Sequence, residues 1–459
     1  MRGNAIHTPG VKTPSSRGSR VLTSKGGSVV RVRPNGKVSD VHNVKRGTDI
    51  HQGLNGGRSI TQVRPDHSRA VYQKGRASYV ERRYSFHGHD FERRSYEYEG
   101  RRYDHFYRGY RYHGMDMDVY APSAYYSPGY YGWADRPWGA PVRYGWGWGD
   151  RPWYRHFGFF FNPYPVYPSA PYWLTDYMLA NDLQASYTAQ VVGGEVDGDP
   201  TAAGGAAPLT PDVKQMVADE VRSQLGIESQ QAQQNAQQQV ADPGASGIAA
   251  TIADVGAGHP HVFVVGNALD VVDSAGTECS LSDGDVLALR SAPASDATAA
   301  DTVVLASKGG QECPRLDSVA VNLDDLQEME NHMRESIDQG LQQLSKNQGQ
   351  GGLPAAPASA QIQPAVYTSA APPPDPNAAS ELQQAAQEGD QAQSEVTQQV
   401  SQESGTPVTT PTIVAGQTIS EVEGILGQPT SKALLGPKVV YNYNGMKVTF
   451  MGGRVTDVD

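Results

Sequence analysis

The sequence predicts a mixed, mostly β fold: an antiparallel meander, a small, partly closed β-barrel with a trailing helix, and a small α+β C-terminal unit, joined by disordered linkers. Three observations predict it. Most apolar residues of the 459-residue chain fall in short alternating runs punctuated by Gly, Pro, Asn and Asp, the period of half-buried strands. The chain is only 38% hydrophobic, with 50 Gly and 31 Pro, and its apolar residues are spread so unevenly that only about half of it can bury a core. The net charge of −11 is the sum of two opposite parts: residues 1–173 carry 27 Lys and Arg against 13 Asp and Glu, residues 174–459 carry 11 against 36. Such asymmetry predicts two different surroundings or mutual attraction. Arg outnumbers Lys in the basic part by 22 to 5, which suits stacking on rings and forked contacts to carboxylate or phosphate.

Residues 1–70 are rich in Gly and Arg and hold β-hairpins, one around Pro34-Asn35-Gly36 and a looser one around Pro65-Asp66. Residues 71–173 form an aromatic β-repeat followed by a Tyr/Trp/Pro-rich region. "YSFHGHDF", "YEYEGRRY" and "YRYHGMDM" share one form, with Gly88, Gly100 and Gly114 at the turns. Aromatics two apart share one face of a strand, so the repeat predicts a meander with an aromatic face and a charged face. "YGWADRPWGAPVRYGWGWGDRPWY" then says one phrase twice, and all six tryptophans lie between Trp133 and Trp173. Proline or glycine every few residues predicts turns and extended chain, laid over the sheet as an irregular lid.

Residues 174–258 are read as helices and a Gln-rich linker. A short helix within 172–190 is expected to be capped by Thr175. A second, over 209–225, has Thr210 as cap, Pro211 at its first position and a stripe of Val213, Met216, Val217, Val221 and Leu225. Residues 259–345 form the small β-domain, with four strand candidates and a helix whose Leu326, Met329, Met333, Ile337, Leu341 and Leu344 repeat at three and four. Residues 346–411 are an Ala/Pro/Gln linker with a weak helix at 379–400. Residues 412–459 are the α+β unit.

Little of this composition supports catalysis. Cys279 and Cys313, the two cysteines, both fall in the small β-domain and are expected to form a disulfide, stabilising it by roughly 3–4 kcal/mol in the chain-entropy model. His87 and His89 lie two apart, but with a glycine between them at a turn, so neither they nor other residues are assigned to a metal. Phosphate loops and nucleotide-binding glycine motifs are absent, and no cofactor is expected. No paired carboxylate or nucleophile–base spacing supports an enzyme. The residues singled out are a contact surface: Trp133, Trp138, Trp146, Trp148 and Trp153 with Arg136 and Arg151. Glycines, prolines and arginines beside these rings predict a wet-faced loop, with Trp146 and Trp148 among the most exposed.

The C-terminal pattern is specific. Gly416, Thr418, Val422, Leu426, Gly427 and Pro429 precede Tyr441 and Tyr443 on one strand and Val448, Phe450, Gly453 and Val455 on a hairpin. This stretch resembles the SmpA/OmlA (BamE-like) family of small outer-membrane-assembly lipoproteins, over about a tenth of the chain. The family's lipid-bearing N-terminal cysteine has no counterpart here. The whole chain is also similar to bacterial envelope proteins with Tyr/Trp-rich N-terminal halves. The resemblance implies an α+β unit and a periplasmic or outer-membrane-associated location. No run of about 18 apolar residues predicts a membrane span, and the first twenty residues hold no apolar signal stretch, so an in-frame signal segment upstream of Met1 is expected. The resulting expectation is a non-catalytic envelope protein. Its basic aromatic β-region would adhere to a cell-wall or anionic glycan surface, and tethered acidic modules would bind an envelope protein. The alternative is a nucleic-acid-binding protein using the same basic aromatic half.

Overall fold

A computed structural model of the protein describes residues 16–98, 100–193, 206–404 and, within 417–458, all but 420–421, 423–428, 430, 436–437 and 444–445. From Arg20 to Ala121 each strand pairs with the next, giving a ten-stranded antiparallel sheet in sequence order. Local turn chemistry sets this order. His87-Gly88 and His113-Gly114 are two-residue loops with all four residues left-handed, at φ 49°, 78°, 48° and 82°. Such turns match the right-handed twist of the flanking strands, which explains the histidines there without a metal. The boundary expected at residue 70 falls inside the strand Arg69–Gln73: the hairpin region and the aromatic repeat are one sheet.

Seven helices are described: α1 (Pro128–Asp135), α2 (Pro152–Phe157), α3 (Ala170–Gly193), α4 (Pro211–Ala236), α5 (Ile248–Gly256), α6 (Leu323–Asn347) and α7 (Ala378–Ser404). Thr210 caps α4 by accepting from Val213 N, and the helix runs on to Ala236, so most of the Gln-rich run is helix rather than linker. Met216 turns outward, 39% exposed, while Val213, Val217, Val221 and Leu225 are buried. Thr175 does not cap α3; it lies inside the helix and donates to Pro171 O at 2.8 Å. All six expected apolar positions of α6 are buried.

The small β-domain is an open six-stranded sheet in the spatial order His261–Val264, Val286–Leu289, Ala299–Ala306, Ser318–Asn322, Leu269–Asp273, Glu278–Leu281. The expected barrel does not close. Two of the four strand candidates each break in two, because Gly266 and Gly284 interrupt them. A Cβ on Gly266 would lie 2.1 Å from the His332 ring, and Gly284 is left-handed at φ 88°. Cys279 and Cys313 form the disulfide.

The stretch after α6 is not only linker. Ile362–Pro364 pairs with Ala124–Tyr126, and Tyr367 stacks on Phe91 at 4.6 Å. Then α7 crosses one face of the ten-stranded sheet, setting Ala392, Val396 and Val400 on Val30, Val41, Ile50 and Ile60. Carboxylates on α7 and just before it meet arginines of the sheet and its turns: Arg46–Glu395 at 2.7 Å, Arg58–Asp390 at 2.6 Å, Arg64–Glu381 and, ahead of the helix, Arg82–Asp375 at 2.7 Å. With Arg33–Asp270 at 2.6 Å, these pairs give the charge asymmetry its structural meaning as attraction within the chain. The acidic elements α6 and α7 and the six-stranded sheet dock on the basic sheet rather than hanging free.

At the C-terminus a four-stranded meander packs Val422 with Tyr441, Val448, Phe450 and Val455. Gly416, Leu426 and Gly427 lie outside the described residues, as does most of the linker before α4. Among the described residues no helix is long and apolar enough to cross a membrane.

Candidate functional site

The tryptophan segment packs on α3 and α4 rather than lying over the sheet. Its irregular backbone is satisfied by an antiparallel run of its own chain: Trp138 N donates to Pro168 O at 2.7 Å, and Val142 and Tyr167 exchange two backbone bonds. Trp138 and Trp153 are only 7% and 5% exposed, so these two belong to the core and not to a contact surface. Trp133, Trp146 and Trp148 are half-buried, while Arg136 and Arg151 are exposed, as is Arg143. Trp146 is sandwiched between Trp148 at 4.3 Å and Trp173 at 4.7 Å. Its Nε1 donates to Tyr167 Oη at 2.6 Å, which donates to Asp176 at 2.7 Å. Beneath, Lys214 pairs with Asp176 at 2.6 Å and lies 3.8 Å from the centre of the Tyr164 ring. A buried ion pair therefore anchors the stacked rings from below, which position and spacing alone could not show.

A second site lies between the other face of the ten-stranded sheet and helices α3 and α6. It is a cavity of about 520 Å³. The sheet supplies Asp40, His51, Arg94, Tyr96, Tyr103 and His105; α3 brings Asp182; α6 brings Glu328, His332 and Glu335. Tyr96 and Tyr103 stack at 5.0 Å with planes 4° apart, because paired residues on neighbouring strands share a face. Arg94, 1% exposed, reaches Glu81 at 2.8 Å and Glu328 at 2.9 Å and lies 3.8 Å from the centre of the Tyr107 ring. His105 Nδ1 is 3.1 Å from Glu335.

Two histidines in the walls are held charged. Burial favours neutral His332, but Asp182 at 2.6 Å outweighs it and raises the imidazole to about 9. Burial likewise opposes charge on His51, and Asp270 at 3.3 Å with Asp40 at 2.8 Å raises it to about 9. Behind the cavity wall, Glu81, Glu92 and Asp118 bring carboxylate oxygens within 4.8 Å of one another. Burial, then Asp118 and Glu81, push Glu92 up to about 10. Arg69 at 2.7 Å from Glu81, Arg83 at 2.8 Å from Glu92 and Arg94 compensate this cluster, so its charge does not call for a metal ion.

One hint of the cavity was legible in the sequence: the i, i+2 aromatics of the meander. The carboxylates of α3 and α6 carried no motif, since only the fold brings them opposite the sheet. No family model, curated protein or solved structure matches the chain.

Proposed function

We propose that this chain is a non-catalytic binding protein of the bacterial envelope. It works in the periplasm or at the outer membrane and holds to an anionic cell-wall glycan surface through the aromatic segment 128–168. The observation that carries this reading is a contrast among the arginines. Those of the sheet, such as Arg33, Arg46, Arg76 and Arg82, are engaged by carboxylates. Arg136, Arg143 and Arg151 face solvent and make no ion pair among the described residues, beside the half-buried rings of Trp133, Trp146 and Trp148. Rigid rings flanked by free guanidinium groups suit flat sugar rings and anionic substituents. The disulfide and the C-terminal resemblance support an extracytoplasmic place, and the C-terminal unit is the part proposed to meet an envelope protein.

The test is co-sedimentation or capture of the full chain with sheared peptidoglycan, lipopolysaccharide and single-stranded RNA at two salt concentrations. Binding to a glycan that disappears in the R136Q/R143Q/R151Q variant, with thermal stability unchanged, is expected. Steeply salt-dependent binding to RNA alone would replace this reading with nucleic-acid binding.

A further inference from the structure

The cavity between the sheet and α6 is separate from that surface and does not depend on it. At about 520 Å³ it falls within the roughly 300–1,000 Å³ range of small-molecule sites. Its chemistry is one-sided. Eight carboxylates line it against three guanidinium groups, and each guanidinium already has a carboxylate: Arg76 with Asp283, Arg94 with Glu328, Arg69 with Glu81. With His51 and His332 also protonated, and with Arg33 and Arg31 behind the wall on Asp270 and Asp40, the eight carboxylates still outnumber the cations that face them. Asp182, 2% exposed, meets His332 through Oδ1, while its Oδ2 has no hydrogen-bond partner among the described residues. A buried carboxylate oxygen left without a donor is costly unless something in the cavity supplies one.

The remaining lining narrows the class. Asn181, Asn267, Gln339 and Thr61 offer donors and acceptors of hydroxyl-matching type. Tyr103 adds a ring, whose face attracts cations, while Tyr79 already carries Arg94 at 4.9 Å. An apolar ligand would strand these groups, and an anion would meet the excess of carboxylates. We infer that the cavity is a binding site for a hydrophilic organic cation of amino-sugar chemistry, with its ammonium group at Asp182 and its hydroxyls on the amide side chains.

Isothermal titration of the full-length protein with the free-amine β-1,4-linked glucosamine dimer, and with its N-acetylated counterpart, tests this. The amine dimer should bind, and the N-acetylated dimer should bind at least about tenfold more weakly, the scale of one charge-assisted hydrogen bond. Asp182→Asn should weaken the amine dimer about tenfold or more. Asn181→Arg serves as the second variant: Asn181 is an exposed residue of α3, so the fold tolerates the change while a cation is placed at the cavity. It too should weaken binding. The R136Q/R143Q/R151Q variant should bind the dimer normally, which separates this site from the surface. Equal affinity for both dimers, no heat from the amine dimer at millimolar concentration, or a folded Asn181→Arg variant with undiminished binding would each overturn the inference.

Discussion

On the face of the ten-stranded sheet that meets α7, Val30, Val41, Ile50 and Ile60 form a dry row against Ala392, Val396 and Val400. Alternate positions of the strands turn Asp40, His51, Arg94 and His105 into the cavity on the opposite face. Both faces are covered by acidic helices, yet only one closes. Apolar contact has no direction, so α7 sinks until atoms touch; a Cβ on Gly389 would lie 2.5 Å from Ile60 Cδ1. Charges lose more on dehydration than they regain unless each finds a partner. The face under α6 is therefore a network of pairs around a cavity, and its stability is set by pairing rather than by area.

The largest expected effect breaks that network at its centre. Arg94→Met keeps the length of the side chain but removes the cation shared by Glu81, Glu328 and Asp118, leaving Arg69 alone to meet Glu81 and Asp118. Removing one partner of a buried pair costs about 3–5 kcal/mol, read as a shift of the denaturant midpoint. A loss under about 1 kcal/mol would mean that the cavity face is wet enough for pairing not to matter.

Titration separates the two faces next. The folded values of His51 and His332, raised to about 9, lie above an unfolded value of about 6.5. Their contribution is therefore complete below pH 6.5 and is lost as pH rises through 9. At roughly 1.4 kcal/mol per unit the loss is at most about 3.5 kcal/mol for each. His332→Gln should flatten the fall in melting temperature between pH 6.5 and 9; an unchanged slope would place the titrating group elsewhere. A smaller change is expected on the dry face, where Ile60→Val should cost about 0.5–1.5 kcal/mol at any pH in that window.

The two faces were unequally legible in the sequence. The meander could be read because strand pairing is local: Gly88, Gly100 and Gly114 fix each turn within a few residues. The α6 stripe was equally plain, being periodic. The seam under α7 was hidden by composition, since Ala385, Ala392 and Val396 in a Gln-rich stretch look like a weak solvated helix until a sheet lies beneath them. Beyond its aromatic sheet wall the cavity could not be read, because Asp182 and His332 meet across 150 residues. The tryptophans misled for a related reason. Their glycines and prolines argue against a regular interior, but the backbone pairs with Tyr167 and Pro168, and Lys214 on α4 neutralises Asp176 beneath them.

The smallest effect concerns the clamps at the edge of the α7 seam, and it decides whether charge or apolar contact holds that helix. Arg46 makes two hydrogen bonds to Glu395, at 3.0 and 2.7 Å, but the Glu395 side chain is 42% exposed. The hydrogen bonds and charge of Arg46 lower the Glu395 carboxyl to about 2, so this contribution is present above an unfolded value near 4.5 and is lost as pH falls through 2. That window is opposite to the alkaline one of the cavity face. Solvent screens the pair, and a double-mutant cycle of Arg46→Gln with Glu395→Gln should give a coupling of only about 0.2–1 kcal/mol. In 1 M salt, where the screening length is about 3 Å, the coupling should shrink toward zero. A coupling above about 2 kcal/mol that survives salt would make the clamps, and not the row from Val30 to Ile60, the reason α7 stays on the sheet.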